Sequence, residues 1–158
     1  MSVIAIDLAM HHLLAEPEDQ ALVQAQLEAA EEAAMQFLNR RLYLDQVALD
    51  AARAGVPAAM QEAKEANAAA VAAADAEQDH ALRCRLLEHA RKALADAYDV
   101  ADSIAYGMVL NPAIQAACFL KLGHLYANRE DVVTGTIATE LPLASQHLLM
   151  PYRIRMGV

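Results

Sequence analysis

Apolar residues recur at Val23, Leu27, Ala30, Ala34 and Phe37, spaced alternately four and three apart. That spacing draws one stripe along an amphipathic helix. Pro17 suits a first helical position, and Glu18 and Asp19 place carboxylates where the helix dipole favours them. The helix is expected to run to about Leu42, with Asn39-Arg40-Arg41 setting cations beside its unsatisfied carbonyls. Ahead of it, Asp7 is placed to cap a short helix over Leu8–Leu14.

From Asp45 to about Gly107 the texture changes to Ala, Glu and Asp, interrupted by Gly55-Val56-Pro57 and by the acidic stretch Asp75–Asp79. The pattern predicts a short helix at 45–54, then long helices at about 57–74 and 79–106, the second about 40 Å long. Leu82, Leu86, Leu87, Ala90, Leu94, Ala97, Tyr98, Ala101 and Ile104 form the apolar side of the second, with Asp96, Asp99 and Asp102 off it. The pair reads as a helical hairpin closed along an alanine-lined seam. Asn111-Pro112 then supplies an amide cap followed by proline at the first helical position. The helix it opens, Pro112 to about Asn128, is the most apolar, with Ile114, Ala117, Cys118, Leu122, Leu125 and Tyr126 on its buried side. Val132–Leu141 reads as a loop or short extended segment, Pro142 as the start of a last short helix to Leu149, and Pro151 as its stop.

Composition sharpens this picture in three ways. Apolar residues are 57% of the 158-residue chain, yet there are 5 Gly, 5 Pro and no Trp, and alanine supplies much of the apolar share. Alanine favours helix and buries little area, so closely packed helices are expected: an all-α fold. The formal charge of −9 opposes tight binding of nucleic acid, which rests on cations neutralising phosphates. Cys84 and Cys118 fall in separate predicted helices and are expected as free thiols. The N-terminus lacks a basic region and carries Asp7 early, so no signal peptide is expected. The run Ala66–Ala74 is too short for a membrane span.

Candidate chemistry is sparse. Glu77-x-x-His80 matches half of a di-iron carboxylate–histidine motif, but a second Glu-x-x-His is lacking. His80, Cys84 and Glu88 share a helix face at four-residue spacing, yet the further ligands of a zinc site are missing from any Cys-x-x-Cys or His-x-x-x-His. Asp75, Glu77 and Asp79 begin like a calcium loop, which His80 and Leu86 spoil at the positions needing glycine and glutamate. Ser2, Ser103 and Ser145 lie outside any nucleophile elbow. No catalytic residue, cofactor or metal is therefore expected. The stretch "HLYANRED", His124 to Asp131, is instead read as a helix end that either caps itself or joins other protein, with Tyr126, Arg129 and Glu130 as contact groups.

These residues carry a resemblance. "PAIQAACFLKLGHLYANRE" followed by "ELPLASQHLLMPYRI" resembles the C-terminal half of the head–tail connector (adaptor or head-completion) proteins of long-tailed bacteriophages. The matching elements are Tyr126, Arg129, Glu130, Leu141, Pro142, Leu143, Leu148, Leu149, Pro151, Tyr152 and Arg153. "IDLAMHHLLAEPEDQALVQAQLEAAEEAAMQFLNRRL" is similar to the family's opening short helix, acidic turn and long helix, ending in a Leu-Asn-Arg-Arg-type motif at Leu38 to Arg41. The chain departs from compact members by inserting Asp45–Gly107, which is either a helical hairpin decorating the assembly or a contact for another virion protein.

The resemblance implies a small helical bundle built from halves 1–44 and 108–150, a helical insertion at 45–107 and a docking tail at 151–158. It further implies a homo-oligomeric ring of twelve copies beneath the portal protein, meeting the next connector, stopper or tail-completion protein. Phage DNA would pass through the lumen without sequence-specific binding. The protein would be made in the host bacterial cytoplasm and end in the virion, with no membrane partner. Candidate interface residues are Arg40, Arg41, Tyr126, Arg129, Glu130, Leu141, Pro142, Pro151, Tyr152, Arg153, Ile154 and Arg155, the tail reaching toward the portal. The rival readings are a metal-dependent helical-bundle enzyme using Glu77, His80, Cys84 and Glu88, and an unrelated acidic helical interaction protein. A membrane-surface helix is disfavoured by the scarcity of Lys and Arg on the polar faces.

Overall fold

The computed structural model describes residues 2–128 and 144–155. The fold is all-α: among the described residues there are six α-helices and one tiny parallel sheet, in two compact units, residues 1–45 with 108–158, and residues 46–107. None of the described helices is long and apolar enough to cross a membrane.

The first unit is organised by α2 (Gln20–Leu38) packed against α5 (Pro112–Ala127), with α1 (Ile6–Leu13) across them and α6 (Ala144–Leu149) against α5. The stripe of α2 buries Val23, Leu27, Ala30, Ala34 and Leu38; α5 answers with Ile114, Ala117, Cys118 and Leu122. Ile4, Ala9, Leu42 and Leu149 close the ends of this core. Asn111 caps α5 as expected, its Oδ1 accepting from the Ile114 N–H at 2.9 Å with Pro112 at the first helical position.

Local expectations fail at several points for physical reasons. Asp7 does not cap α1; it lies inside the first turn, and Ala5 precedes the helix without a side-chain bond. Pro17–Asp19 form a 3-10 turn ahead of α2. That helix stops at Leu38, not Leu42, because Asn39 adopts the left-handed conformation (φ 57) and its N–H and that of Arg40 bond back to Gln36 and Met35. Leu14 ends α1 in the same way at φ 52, a costly conformation for leucine. Freed from the helix, Leu42 and Tyr43 form β1, pairing in parallel with Met108 and Val109 of β2. Two residues are too few to show a strand period in sequence.

The second unit is the helical hairpin of α3 (Gln46–Asp75) and α4 (His80–Ala105). The expected break at Gly55-Val56-Pro57 is absent, so the predicted helices 45–54 and 57–74 are one. Pro57 deprives the Arg53 carbonyl of its usual donor, but Leu49 and Val56 are buried on either side of the defect. The Arg53 guanidinium also holds the segment to the end of α4, donating to Ala105 O at 3.0 Å and Gly107 O at 3.1 Å. Asp79 caps α4, accepting from Ala81 and Leu82. Half-buried and buried positions on α4 run Arg83, Leu87, Ala90, Leu94, Ala97, Ala101 and Ile104, a four–three alternation that faces α3.

Candidate partner-binding site

The end of α2 gathers several of the interface candidates. Arg41 pairs with Glu32 at 3.2 Å on a half-exposed face. Arg40 donates to Met108 Sδ at 3.5 Å, and its Nε is buried with no acceptor among the described residues.

The start of the tail returns to this place. After α6, Met150–Tyr152 form a 3-10 turn, and residues 153–155 continue without regular structure beside the end of α2. The Ile154 N–H donates to Leu38 O at 3.2 Å, satisfying a terminal carbonyl of α2, and the Ile154 carbonyl accepts from Asn39 Nδ2 at 2.9 Å. The Arg153 guanidinium lies 4.8 Å from the centroid of Phe37, a cation–π contact. Like Arg40, Arg153 keeps a buried Nε without an acceptor among the described residues. Tyr152 packs on the core, while Pro151 and Arg155 are exposed. The tail's root is thus fastened to its own subunit, where Tyr152, Arg153 and Ile154 are engaged. Asn39 makes this possible, because its left-handed backbone ends the helix while its side chain reads the Ile154 carbonyl.

Tyr126 is likewise committed within the unit. Its hydroxyl donates to Asp19 Oδ2 at 2.5 Å, tying the end of α5 to the turn before α2, and Gln26 Nε2 beside it donates to Leu125 O at 3.1 Å. Arg129, Glu130, Leu141 and Pro142 lie outside the described residues. A recess of about 110 Å³ between α2, α5 and α6, lined by Ala33, Phe37, Lys121 and Gln146 among others, adjoins this surface. Chemically, the end of α2 carries Arg40 and Arg41, and Arg153 lies over Phe37 beside a small recess, a cationic surface that suits a carboxylate of another protein.

Glu31 escaped the sequence reading. It is 3% exposed, and its carboxylate accepts from Ser2 Oγ (2.7 Å), Ile4 N–H (2.7 Å) and Val3 N–H (3.0 Å). Three donors compensate a carboxylate buried in an apolar core. The available signal is positional: Glu31 falls four residues after Leu27 and three before Ala34, on the buried stripe. The Cys118 thiol is pushed up to about 12, first by burial and then by the Glu31 charge, so it stays protonated and inert.

The metal-ligand candidates do not converge. His80 Nδ1 and Nε2 each stand 3.9 Å from Cys84 Sγ, but Glu88 turns to Arg85 at 3.5 Å and Glu77 accepts from its neighbour Asp79 N–H. Among the described residues no group of three or more His, Cys, Asp or Glu side chains is arranged to hold a metal ion. No protein-family model, no curated protein and no solved structure matches the chain.

Proposed function

We propose that this chain is the subunit of a head–tail connector ring of a long-tailed bacteriophage, docked beneath the portal and extending the DNA channel toward the tail. The observation that carries the reading is that the two separated segments bearing the resemblance share one hydrophobic core, in which Val23, Leu27 and Leu38 of one pack with Ile114, Leu122 and Leu149 of the other. A unit so assembled from both ends of the chain tolerates an insertion between them, as the resemblance requires. The cations Arg40, Arg41 and Arg153 gathered at the end of α2 support a protein-facing surface there.

In this reading Asn39, Tyr152, Arg153 and Ile154 set the direction of the tail, and Pro151, Arg155 and the residues beyond meet the portal. An overall charge of −9 per subunit suits a channel in which DNA slides without being held. Tyr152→Ala combined with Arg153→Ala is expected to leave helicity intact and weaken co-purification with the portal encoded in the same genome. Unchanged portal binding with equal helicity counts against this surface as the dock.

A further inference from the structure

His80 and Cys84 stand one turn apart on α4, both exposed, with Cys84 Sγ 3.9 Å from each ring nitrogen of His80. At that distance the thiol commits neither nitrogen to a strong hydrogen bond. The imidazole χ2 torsion is broad, so turning the ring aims a nitrogen at a point that the sulfur also reaches. Zinc bonds sulfur at about 2.3 Å and imidazole nitrogen at about 2.0–2.1 Å, which at a tetrahedral angle sets the donors about 3.6 Å apart. The observed separation exceeds that bite by roughly 0.3 Å, within reach of small side-chain torsions.

The backbone beneath the pair is held. Asp79 Oδ1 accepts from the Ala81 and Leu82 N–H groups at 2.8 and 3.3 Å, and the Asp79 carbonyl accepts from the Arg83 N–H at 2.8 Å. Two ligands carried on a capped first turn lose little further freedom when an ion binds. The neighbouring carboxylates do not extend the set. Glu77 accepts from the Asp79 N–H at 3.1 Å, Asp79 is the cap, and Glu88 pairs with Arg85 at 3.5 Å. Among the described residues no group of three His, Cys, Asp or Glu forms here. One chain therefore offers a thiol and an imidazole, half of a tetrahedral shell.

The pair also lies where a second half can reach it. α3 ends at Asp75 and α4 begins at His80, so the pair stands beside the hairpin's turn, whereas Arg53 fastens the two helices at the other end. Formal charge around the turn is nearly balanced, with Glu77, Asp79 and Glu88 against Arg83 and Arg85. Two such turns meet without the repulsion that the whole chain carries at −9.

We propose that His80 and Cys84 form half of a zinc site that a second copy of the chain completes, two hairpin turns meeting about a two-fold axis through the ion. The shell is two thiolates and two neutral imidazoles. Each thiol gives its proton to solvent, so the two thiolates cancel the charge of the ion and nothing is oxidised or reduced. A borderline-soft divalent cation matches this sulfur and nitrogen set, whereas magnesium and calcium call for oxygen. The contact is isologous, uses the hairpin alone, and holds whether or not the chain is a connector.

The test uses the full chain, untagged, freed of metal with a chelator and titrated with zinc chloride under sedimentation. One ion per two chains is expected, with a zinc-dependent doubling of the sedimenting unit that chelator reverses. Zinc should also slow the reaction of Cys84 with a disulfide reagent. Cobalt in its place should give thiolate charge-transfer absorption together with the visible bands of a tetrahedral ion. His80→Ala and Cys84→Ser, both at exposed positions, are each expected to abolish the zinc-dependent association with helicity unchanged. Glu88→Gln, on the same helix face, should leave it intact. No zinc uptake, one ion per chain without a change in mass, or association that persists in either ligand variant refutes the proposal. Portal binding by the same variants is measured without zinc, so failure of this site and failure of the connector reading are told apart.

Discussion

Replacing Glu31 by alanine leaves the Ser2 hydroxyl and the Val3 and Ile4 N–H groups without the carboxylate that accepts from all three. Hydrogen bonds to a charged group contribute about 1.5–3 kcal/mol each, so keeping the segment in place with three unmet donors would cost more than ~4 kcal/mol. The chain has a cheaper escape: residues 2–5 detach, and the buried Ile4 is lost from the core for about 2–3 kcal/mol. The smaller cost governs, giving about 3 kcal/mol of destabilisation of the first unit. Glu31→Gln keeps one oxygen for Ser2 and Ile4 but turns an amide donor toward the Val3 N–H, for a loss of about 1–2 kcal/mol. Urea unfolding followed by circular dichroism measures both, and hydrogen exchange reports the detachment as lost protection at Val3 and Ile4. The Gln variant also removes a charge that raises the Cys118 thiol, whose pKa falls from about 12 yet stays above its ordinary value because burial is the larger cause. Both variants within 0.5 kcal/mol of the unaltered chain, with N-terminal protection unchanged, would refute the clamp (RT ≈ 0.6 kcal/mol sets the scale).

Four further outcomes are expected. The folded-state pKa of Cys118 lies above its ordinary value near 9, so its burial as a thiol stabilises the fold fully below pH 9, and that stability is lost as pH rises toward 12; Cys118→Ala removes this alkaline sensitivity, read by denaturation across that range. At neutral pH a disulfide reagent should titrate exposed Cys84 alone until denaturant is added. Leu14→Gly relieves a left-handed leucine that is 85% exposed, raising stability by about 0.5–1 kcal/mol in urea unfolding, less the entropy glycine adds to the unfolded chain. Pro57→Ala restores the Arg53 carbonyl's donor and stabilises the hairpin by up to ~3 kcal/mol, seen as slower amide exchange around residues 53–57.

The helices were legible where a local signal agreed with the tertiary packing. Asn111-Pro112 announces α5 because cap and proline act within one turn, and the spacing from Val23 to Ala34 announces α2 because its stripe meets a single partner. Gly55-Val56-Pro57 misleads for the opposite reason: the local penalty is outweighed by packing of Leu49 and Val56 and by Arg53 reaching the end of α4. The parallel pair of β1 and β2 joins residues separated by the whole hairpin, which no local pattern encodes. On α4 the sequence lists Leu82, Leu86 and Tyr98 among the apolar side without dividing it, whereas Leu87, Ala90, Leu94 and Ala101 alternate along the seam and those three remain exposed. Glu31 reads as a surface acid until Ser2, Val3 and Ile4 are seen to close over it. The tail reads as docking material because Tyr152, Arg153 and Ile154 suit an interface; that Asn39 and Phe37 receive them is a long-range fact.

The connector reading stands or falls on assembly with the portal. The direct measurement is the mass and symmetry of particles formed when the full chain is mixed with the portal protein that the reading calls for, by electron microscopy and native mass determination. The account predicts a closed ring of this chain, twelve copies by the family resemblance, seated on one face of the portal around an open channel. A portal that remains bare, with this chain left outside the particle at every concentration tried, contradicts it.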